Sequence, residues 1–501
     1  MNTRSNQESL NFLIKLFIVV SCYAVIILAP VKIGELGYLP QDDALRHSAY
    51  AVDSRDWGDV LVFNSTIRKD MDSHPAWHAV LRGVHNKTGA AQDNLVFFSF
   101  CVTFITFMVA GAIASRNTLA WMCTCLLMVT CGSSLFYRLL LGRPFSITMA
   151  ILVVLLFLWT NPNIKNWKWQ KEFGVVLGLL VVSICFHPSV WFVWPLPFLA
   201  LCLCRQFRSA IILAAGTVAA LIIACILCGS VYDIVILPVL QLFQAFLSDN
   251  IVVGNLVTEF QPITISDSVW IAMIVLLIIR KMCGDKIKEE LQKPDFWLAV
   301  IGAILGLKVC RFMEDWAVPA MAVWICRQFI ILSTKVNLNS FARLGVAIPV
   351  LAAFYIGTTG DVGSRYTRNL KDSLLTRPVA DFESVLPDRG GILYASDMGV
   401  FYKLYFRNPN DHYRFILGFE SGLMPPEDLK TLRRIQFSDG LIDEYAPWME
   451  KMTSADRLVL RYPEEPKWEN MEFVKFQSYW IGRKAPKKQS SPDSKEPKQE
   501  G

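Results

Sequence analysis

The 501-residue chain is strongly apolar: 53% of its residues are hydrophobic, 18% are charged, and its mean hydropathy is +0.38. This composition excludes a disordered, fibrous or ordinary cytosolic protein. The net charge of +6 does not indicate a nucleic-acid binder, because the lysines and arginines punctuate apolar runs instead of gathering on one solvent face. Residues 361–501 hold 44 of the 92 charged residues, so an apolar part precedes a polar part.

Charge-free windows predict an α-helical polytopic membrane protein with about eleven transmembrane helices in residues 1–360. A bilayer core about 30 Å thick needs roughly 20 apolar residues per helix, and a charge at its centre is costly. All 13 cysteines lie between Cys22 and Cys326, mostly inside apolar runs, so they indicate helix packing and neither a disulfide framework nor a zinc site. The predicted spans are 12–32, 95–115, 118–137, 145–160, 173–188, 189–204, 209–230, 267–280, 296–310, 317–333 and 341–358.

The direction of the helices is predicted from the basic residues of the short connections. With a cytoplasmic N-terminus, 16 lysines and arginines lie on inside connections and four lie on outside ones. The first apolar run lacks a small-residue cleavage site, so it is predicted to be an uncleaved span. The loop at 33–94 and all residues after about 359 are then external, which means periplasmic if the membrane is a bacterial inner membrane.

The first external loop, 33–94, holds nine acidic residues, and two of them, Asp42 and Asp43, stand directly before a predicted helix at 44–52. An adjacent carboxylate pair beside a membrane has three possible uses. One carboxylate can take the proton of an attacking hydroxyl, or both can bind a divalent metal such as Mg or Mn that neutralises a phosphate. In the simplest alternative they only cap the helix.

The same loop holds four of the six histidines. A second helix is predicted from Ser73-His74-Pro75, with Asp72 or Ser73 as its N-cap. His74, His78, Arg82 and His85 would share one face of it as a polar stripe. The spacing of His74 and His78 is also that of zinc ligands, but no third ligand is fixed by the sequence. The pattern favours binding of a sugar or phosphate by His74 and His78, together with His47.

Four basic residues stand at predicted external helix ends: Arg138 and Arg143 flank one turn, and Lys308 and Arg311 flank another. A single cation of this kind often reaches out to lipid headgroups. Two pairs favour a pocket for an anionic headgroup. Further on, the charge-free stretch at 234–248 predicts a helix in the membrane interface or, alternatively, a twelfth span.

The C-terminal residues 361–483 are predicted to form an external α/β domain. Strands are expected at 390–396, 413–418, 456–461 and 473–481, and helices at 364–386, 397–406 and 426–452. No nucleophile elbow, P-loop or dinucleotide fingerprint occurs there, so this domain is expected to cap or recognise and not to catalyse. Residues 484–501 are predicted to be a disordered tail.

Together these features resemble the GT-C class of integral membrane glycosyltransferases, which combine a long acidic first external loop with many spans and a terminal external domain. The resemblance covers most of the chain in architecture. The Trp-Trp-Asp type of signature of oligosaccharyltransferases is absent, which disfavours transfer of a whole oligosaccharide to Asn. The local features that carry the resemblance are Asp42-Asp43-Ala-Leu-Arg46-His47, Asp72-Ser-His74-Pro-Ala-Trp77-His78 and Leu-Gly142-Arg143-Pro144-Phe145.

The resemblance implies that Asp42 and Asp43 are the base or the metal site. It also implies that Arg143, joined by Arg138, Lys308 and Arg311, binds the phosphate of a polyprenyl-phosphate-linked sugar donor. The expected reaction is inverting transfer of the sugar to a glycan, lipid or protein acceptor in cell-surface glycan assembly, with membrane lipids and no nucleic acid as partners. The alternatives are a transporter or flippase, a lipid-linked polysaccharide polymerase or ligase, and a non-catalytic assembly subunit. Transporters usually show two matching halves and midplane charges, and this sequence shows neither.

Overall fold

The computed structural model of the chain divides into two compact units. The first comprises Met1–Ser54, Asp70–Thr376 and Tyr402–Pro409, and the second comprises Arg55–Lys69, Arg377–Phe401 and Asn410–Gly501. The residues that the structure describes are 2–53, 55–132, 134–242, 261–263, 268–285, 287–336, 338–376 and 383–485. The predicted tail therefore lies outside the described residues except for Lys484 and Ala485. In the predicted interfacial helix, residues 234–242 are helical, and residues 243–248 lie outside the described residues.

The first unit is built almost entirely of helices. Four of the helix ends have clear local causes: Asn117 and Asn339 accept hydrogen bonds from Ala120 and Ala342 as N-caps, and two helices end at glycines in the left-handed region. Its helices, with the short α3 of the second unit in chain order, are α1 (Asn2–Glu35), α2 (Asp43–Val52), α3 (Trp57–Val60), α4 (Pro75–Thr88), α5 (Gln92–Ala114), α6 (Thr118–Thr130), α7 (Leu135–Leu140), α8 (Phe145–Thr160), α9 (Trp169–Phe186), α10 (Pro195–Leu203), α11 (Phe207–Cys228), α12 (Leu237–Leu242), α13 (Val269–Met282), α14 (Pro294–Gly306), α15 (Cys310–Phe312), α16 (Val318–Val336), α17 (Ser340–Thr359) and α18 (Ser373–Thr376).

The chain is an integral, multi-pass membrane protein by the length and apolar character of these helices. Among the described residues, six helices are long and apolar enough to cross a membrane. The other predicted spans coincide with shorter apolar helices, so the total of eleven stays a prediction. The predicted break at His187-Pro188 is present, because α9 ends at Phe186 and a 3₁₀ turn, Pro188–Phe192, precedes α10.

Contacts between helix ends agree with the predicted alternation of the spans. Ends predicted to lie inside meet one another: Arg327 pairs with Asp295 at 2.7 Å, and Arg208 lies 3.3 Å from Glu172. Residues predicted to lie outside likewise meet, as Arg143 does with the first loop at Asp42. The alternation is thus supported by the contacts, while the side that faces the cytoplasm stays a prediction from charge bias.

The second unit contains a five-stranded mixed sheet, as the sequence predicts for an α/β domain. The strand order is β2-β1-β3-β5-β4, with β2, β1 and β3 parallel and the last three strands antiparallel. The predicted strand at 473–481 is a hairpin, because Gln477 takes a positive φ of 56° at its turn. The strands are β1 (Ile392–Ala395), β2 (Arg414–Phe415), β3 (Arg457–Leu460), β4 (Met471–Phe476) and β5 (Tyr479–Lys484), and the helices that follow α18 in the chain are α19 (Met398–Arg407), α20 (Pro426–Phe437) and α21 (Ala446–Lys451).

Part of the first loop belongs to this second unit. The amide of Val62 donates to the carbonyl of Phe415 at 2.9 Å, and the amide of Asn64 donates to Leu423 at 2.7 Å. Leu61 forms an isolated parallel bridge to Phe415. The segment Arg55–Lys69 therefore lies against the outer side of β2 and adds backbone pairing to the sheet edge.

Two predicted helices of the polar part are wrong as continuous elements. The prediction at 426–452 is interrupted after Phe437, because Asp439 and Gly440 take positive φ values of 55° and 81° that an α-helix does not contain. In the range predicted at 364–386, the described residues form only short pieces: 3₁₀ turns at Val362–Ser364, Arg368–Lys371 and Glu383–Val385, and the four residues of α18.

Candidate active site

The two carboxylates of the first loop meet the first of the predicted external arginines. Asp42 is the N-cap of α2 by position, but its side chain makes no capping hydrogen bond, so the simple capping alternative is wrong. Arg143 instead donates from Nη2 to Oδ2 of Asp42 at 2.7 Å and places Nε 3.4 Å from Oδ2 of Asp43. All three side chains are partly exposed, at 16–25%. The sequence prediction that these three residues lie together agrees with the structure.

The turn that carries Arg143 depends on a glycine. Gly142 has a φ of +65°, and it lies so close to α2 and α5 that a Cβ would approach Ala44 at 3.2 Å and Ser99 at 3.1 Å. Both the backbone conformation and the close contact disfavour any larger residue. Gly142 therefore allows the Arg143 turn to approach the helix that begins at Asp43.

Replacing Gly142 by Ala is expected to destabilise the protein by about 1–3 kcal/mol and to lower activity, because α2 and the Arg143 turn must separate. Gly132→Ala is the matched control: its φ is +68°, but no atom lies within 4 Å of the added Cβ. Thermal unfolding in detergent measures both variants. Equal losses in the two would show that backbone strain alone, and not the contact with α2, explains the effect.

Asp43 has further partners that Asp42 does not share in the described contacts. Arg46, one turn along α2, lies 3.1 Å from its Oδ1, and the hydroxyl of Tyr402 donates to the same oxygen at 3.3 Å. Burial, together with the nearby Asp43 carboxylate, raises the pKa of Tyr402 well above its usual value, so this phenol stays protonated and donates. Tyr402 is 359 residues away in sequence, and nothing local in the sequence indicates this contact.

The structure encloses part of the predicted histidine stripe between α2 and α4. His78 and His47 are fully buried, because α2 packs across that face of α4. His47 Nδ1 lies 2.7 Å from His78 Nε2, and His78 Nδ1 lies 2.6 Å from Oδ1 of Asp72. The predicted N-cap also differs: His74 occupies that position, and Asp72 accepts the His74 amide at 2.8 Å. His47 thus contacts His78, and His78 contacts Asp72.

His74 and His187 extend the cluster toward the arginines. The His74 ring lies edge-on to His47 at 4.8 Å and to His187 at 5.1 Å, and His187 in turn lies edge-on to Phe145 at 5.1 Å. His187 is within electrostatic range of Arg311, Asp43 and Arg143. Burial first, and then Arg311, lowers its pKa to about 3, so this imidazole is neutral at physiological pH.

The neutral state of His187 predicts a pH dependence of stability. The unfolded chain takes up a proton on this residue below pH 6.5, whereas the folded protein does not until the pH reaches about 3. Stability from this group is therefore complete above pH 6.5 and falls by about 1.4 kcal/mol per pH unit below it. Unfolding measured between pH 7.5 and 5 should show a shallower slope for His187→Gln than for the wild type. Identical slopes would contradict a buried neutral imidazole.

The other predicted cations lie in two settings. Arg138 is 5% exposed and donates from Nη2 to Oδ1 of Asp315 at 2.6 Å, so burial in an ion pair separates it from the predicted phosphate site. Arg311 also contacts Asp315, at 3.1 Å, but it is 32% exposed and lies over the Phe145 ring. Lys308 is exposed. Asp315 is not among the residues predicted from the sequence. The acidic pair Glu314-Asp315, directly before the apolar run at 317–333, is a signal for such a partner.

The acidic pair offers two carboxylates to a metal ion. Among the described residues, no group of three or more His, Cys, Asp or Glu side chains is placed to hold a metal ion. The carboxylates of Asp42 and Asp43 face the Arg143 guanidinium, and the nearby histidines bond to each other. Mg²⁺ is often held by two carboxylates together with a substrate phosphate, so the Mg or Mn site at Asp42 and Asp43 stays a prediction.

Comparison with known proteins identifies the fold. No family model and no curated protein sequence matches the chain. Among solved structures, the chain is similar to the oligosaccharyltransferase of Archaeoglobus fulgidus tethered to an acceptor peptide, with a TM-score of 0.51 and 10% identity over 88% of this chain and 69% of that one. It also matches ArnT from Cupriavidus metallidurans bound to undecaprenyl phosphate, with a TM-score of 0.44 and 10% identity over 96% and 99% of the two chains. The chain has the GT-C fold, and the predicted resemblance is confirmed at the level of fold.

Proposed function

We propose that this GT-C-fold protein is a membrane glycosyltransferase that moves a sugar from a polyprenyl-phosphate donor to an acceptor hydroxyl at the external face of its membrane. The observation that carries the proposal is the pair Asp42 and Asp43, held by Arg143 where the first loop meets the ends of membrane helices. A carboxylate base and a guanidinium for a phosphate leaving group stand side by side there.

Asp43 is proposed as the base. Arg46, Tyr402 and Arg143 all lie within 3.4 Å of its carboxylate oxygens, so its position is fixed from several sides. Asp42 contacts Arg143 through both of its oxygens and serves to orient that guanidinium. A base held by several groups meets the hydroxyl in one orientation, which lowers the entropy cost of the reaction.

Arg143 and Arg311 are proposed to bind the phosphate. Both side chains remain partly exposed, and neutral His187 lies within electrostatic range of both. Guanidinium groups donate two hydrogen bonds to phosphate oxygens and keep their charge at any physiological pH. Lys308 is exposed at the same helix end and is proposed to attract the anionic donor from the membrane surface.

The proposed reaction is a single displacement. The acceptor oxygen forms a bond to the anomeric carbon while the bond from that carbon to the phosphate oxygen breaks, so the sugar configuration inverts. The hydroxyl proton goes to Asp43, and polyprenyl phosphate leaves as the anion beside Arg143. An external site has no nucleotide sugars available, so the activated sugar must arrive on a lipid, and the phosphate then sits at the membrane surface where these arginines lie.

No step of this proposal passes through a metal, which makes the proposal testable by chelation. The purified protein, in detergent or nanodiscs, is incubated with a panel of polyprenyl-phosphate sugars and glycan, lipid or peptide acceptors, with and without EDTA. We expect a glycosylated product and free polyprenyl phosphate in equal amounts, unchanged by EDTA. Loss of activity with EDTA and rescue by Mg or Mn would show that Asp42 and Asp43 bind a metal ion and that neither acts alone as the base. Absence of any product across the panel would contradict the proposed donor.

The proposed setting is a bacterial inner membrane with the first loop and the C-terminal part in the periplasm, and the process is assembly of a cell-surface glycan. The charge bias of the connections supports this orientation. A cysteine introduced beside Asp93 in the first loop, in a background lacking other reactive cysteines, should react with a membrane-impermeant maleimide in intact spheroplasts. Labelling only after lysis would show that the first loop faces the cytoplasm.

A further inference from the structure

Four side chains form a continuous hydrogen-bonded line from α4 to the proposed base. The line runs from the Asp72 carboxylate to His78 at 2.6 Å, from His78 to His47 at 2.7 Å, and from His47 Nε2 to Arg46 Nη2 at 3.3 Å. Arg46 then lies 3.1 Å from Asp43. The line therefore joins an acid at the start of α4 to the acid at the start of α2.

The hydrogen-bond partners fix the direction of this line. Because the Asp72 carboxylate only accepts, His78 carries its proton on Nδ1. Nε2 of a neutral His78 is then an acceptor, so His47 donates to it from Nδ1. Nε2 of a neutral His47 is likewise an acceptor, and it accepts a hydrogen bond from Nη2 of Arg46. Both imidazoles are thus the Nδ1–H tautomer, and every ring nitrogen in the line has a partner.

The surroundings keep both imidazoles neutral. His47 and His78 are 0% exposed. Burial lowers the pKa of both, and the positive charge of Arg46 lowers it further, while Asp72 opposes the shift for His78. The charged groups that face the pair are Asp72 and Arg82 on the α4 side and Arg46 and Arg143 on the other. A neutral pair can therefore keep one direction of donation over the physiological pH range.

Arg46 divides one nitrogen between two acceptors. Its Nη2 has two N–H groups, and it lies 3.3 Å from His47 Nε2 and 3.1 Å from Asp43 Oδ1. Because His47 accepts one of these protons, the other points to Asp43. Arg46 is only 2% exposed, so its role in this proposal is to hold Asp43 and not to bind a phosphate in solution.

We infer that Asp72, His78 and His47 are positioning residues that hold Arg46 in the orientation in which it fixes Asp43. This inference rests on the proposed function, because it takes Asp43 to be the base. It also replaces the predicted role of His47 and His78: they bind neither sugar nor phosphate. Asp72 is anchored at the far end of the line, since its amide donates to Asp233 at 3.0 Å and its carboxylate accepts the His74 amide.

The direction of the line is testable without any enzymatic assay. Full-length protein labelled with ¹⁵N-histidine in nanodiscs reports the tautomer of each imidazole through its nitrogen shifts, with His47→Gln and His78→Gln used for assignment. We expect the Nδ1–H form for both residues at pH 7 and at pH 6. The Nε2–H form of either residue, or an imidazolium at pH 7, would overturn the inference.

The effect of His47 on Asp43 is tested by replacing His47 with glutamine and with asparagine, whose side chains differ in length. His47→Gln places an acceptor near the Nε2 position and keeps the contact to Arg46, whereas His47→Asn keeps only the contact to His78. We expect His47→Asn to lower kcat about 10- to 100-fold with the donor KM unchanged, and His47→Gln to recover most of this loss. Ser48→Ala, which removes a buried hydroxyl bonded to the Ala44 carbonyl on the same helix, is the matched control and should keep kcat.

Three outcomes would overturn the inference. These are equal kcat for the two amides, a raised donor KM in either of them, or a loss in kcat that follows the melting temperature across the amides and Ser48→Ala. The last outcome would mean that the line only joins α2 to α4. Failure of the proposed function is separate, because it appears as a wild-type protein that transfers no sugar, while the tautomer measurement still decides the direction of the line.

Discussion

Replacing Asp43 by Asn is expected to lower kcat/KM about 100- to 10,000-fold, which is the usual contribution of a general base. Asparagine keeps the size of the side chain and can still accept from Arg46 and Tyr402, but it cannot take the acceptor proton. The donor KM should change little, because Arg143 and Arg311 remain. Initial rates with varied donor and varied acceptor measure the effect.

Asp53→Asn is the matched control for this substitution. Asp53 stands at the other end of α2 and accepts a hydrogen bond from Tyr405 at 3.0 Å, as Asp43 does from Tyr402 on the same helix. It lies outside the acidic pair, so its loss of charge should leave kcat/KM within a few fold of the wild type. Equal losses in Asp43→Asn and Asp53→Asn would mean that α2 has been disturbed and that neither carboxylate is the base.

Replacing Arg143 is expected to have the second large effect on activity. Arg143→Ala should lower kcat/KM about 100- to 1,000-fold, because the guanidinium stabilises charge on the departing phosphate, and it should raise the donor KM far more than the acceptor KM. Arg143→Lys keeps the charge but loses the fork that contacts both carboxylates, so it should recover only part of the loss. Kinetics with both substrates varied distinguish these effects.

Arg407→Gln provides the control for loss of an arginine. Arg407 pairs with Asp93 at 3.0 Å, and that pair is exposed, so the substitution should leave both KM values unchanged. A donor KM and an acceptor KM that rise equally in Arg143→Ala would argue that Arg143 only packs the turn after Gly142. Isothermal titration with a polyprenyl-phosphate sugar analogue that cannot transfer its sugar measures the donor affinity directly.

The sequence predicts the acidic pair and Arg143 because each has a local signal. Asp42 and Asp43 are adjacent and stand before a helix, and Arg143 is a cation at the predicted outer end of an apolar run. The same signal is ambiguous for Arg138. A charge at a helix end can face a ligand or a buried partner, and only the packing of the helices shows that Arg138 faces Asp315.

The rest of the site depends on tertiary contacts that periodicity cannot reveal. The spacing of His74 and His78 correctly places them near one another, but it cannot show that α2 covers that face and buries His78. Tyr402, which contacts Asp43, lies 359 residues from it in the sequence. In the polar part, the strand positions are predicted because each strand lies in a short run that contains aliphatic or aromatic residues. The helix predicted at 426–452 is interrupted because Asp439 and Gly440 take positive φ values.

The most direct test of the central claim is the release of lipid phosphate. Purified wild type and Asp43→Asn are incubated with a polyprenyl-phosphate sugar and its acceptor, and free polyprenyl phosphate is quantified by mass spectrometry together with the glycosylated product. The proposed function predicts equal amounts of the two products with the wild type and at least a 100-fold slower release with Asp43→Asn. Product formed without release of polyprenyl phosphate, or at an unchanged rate by Asp43→Asn, would contradict it.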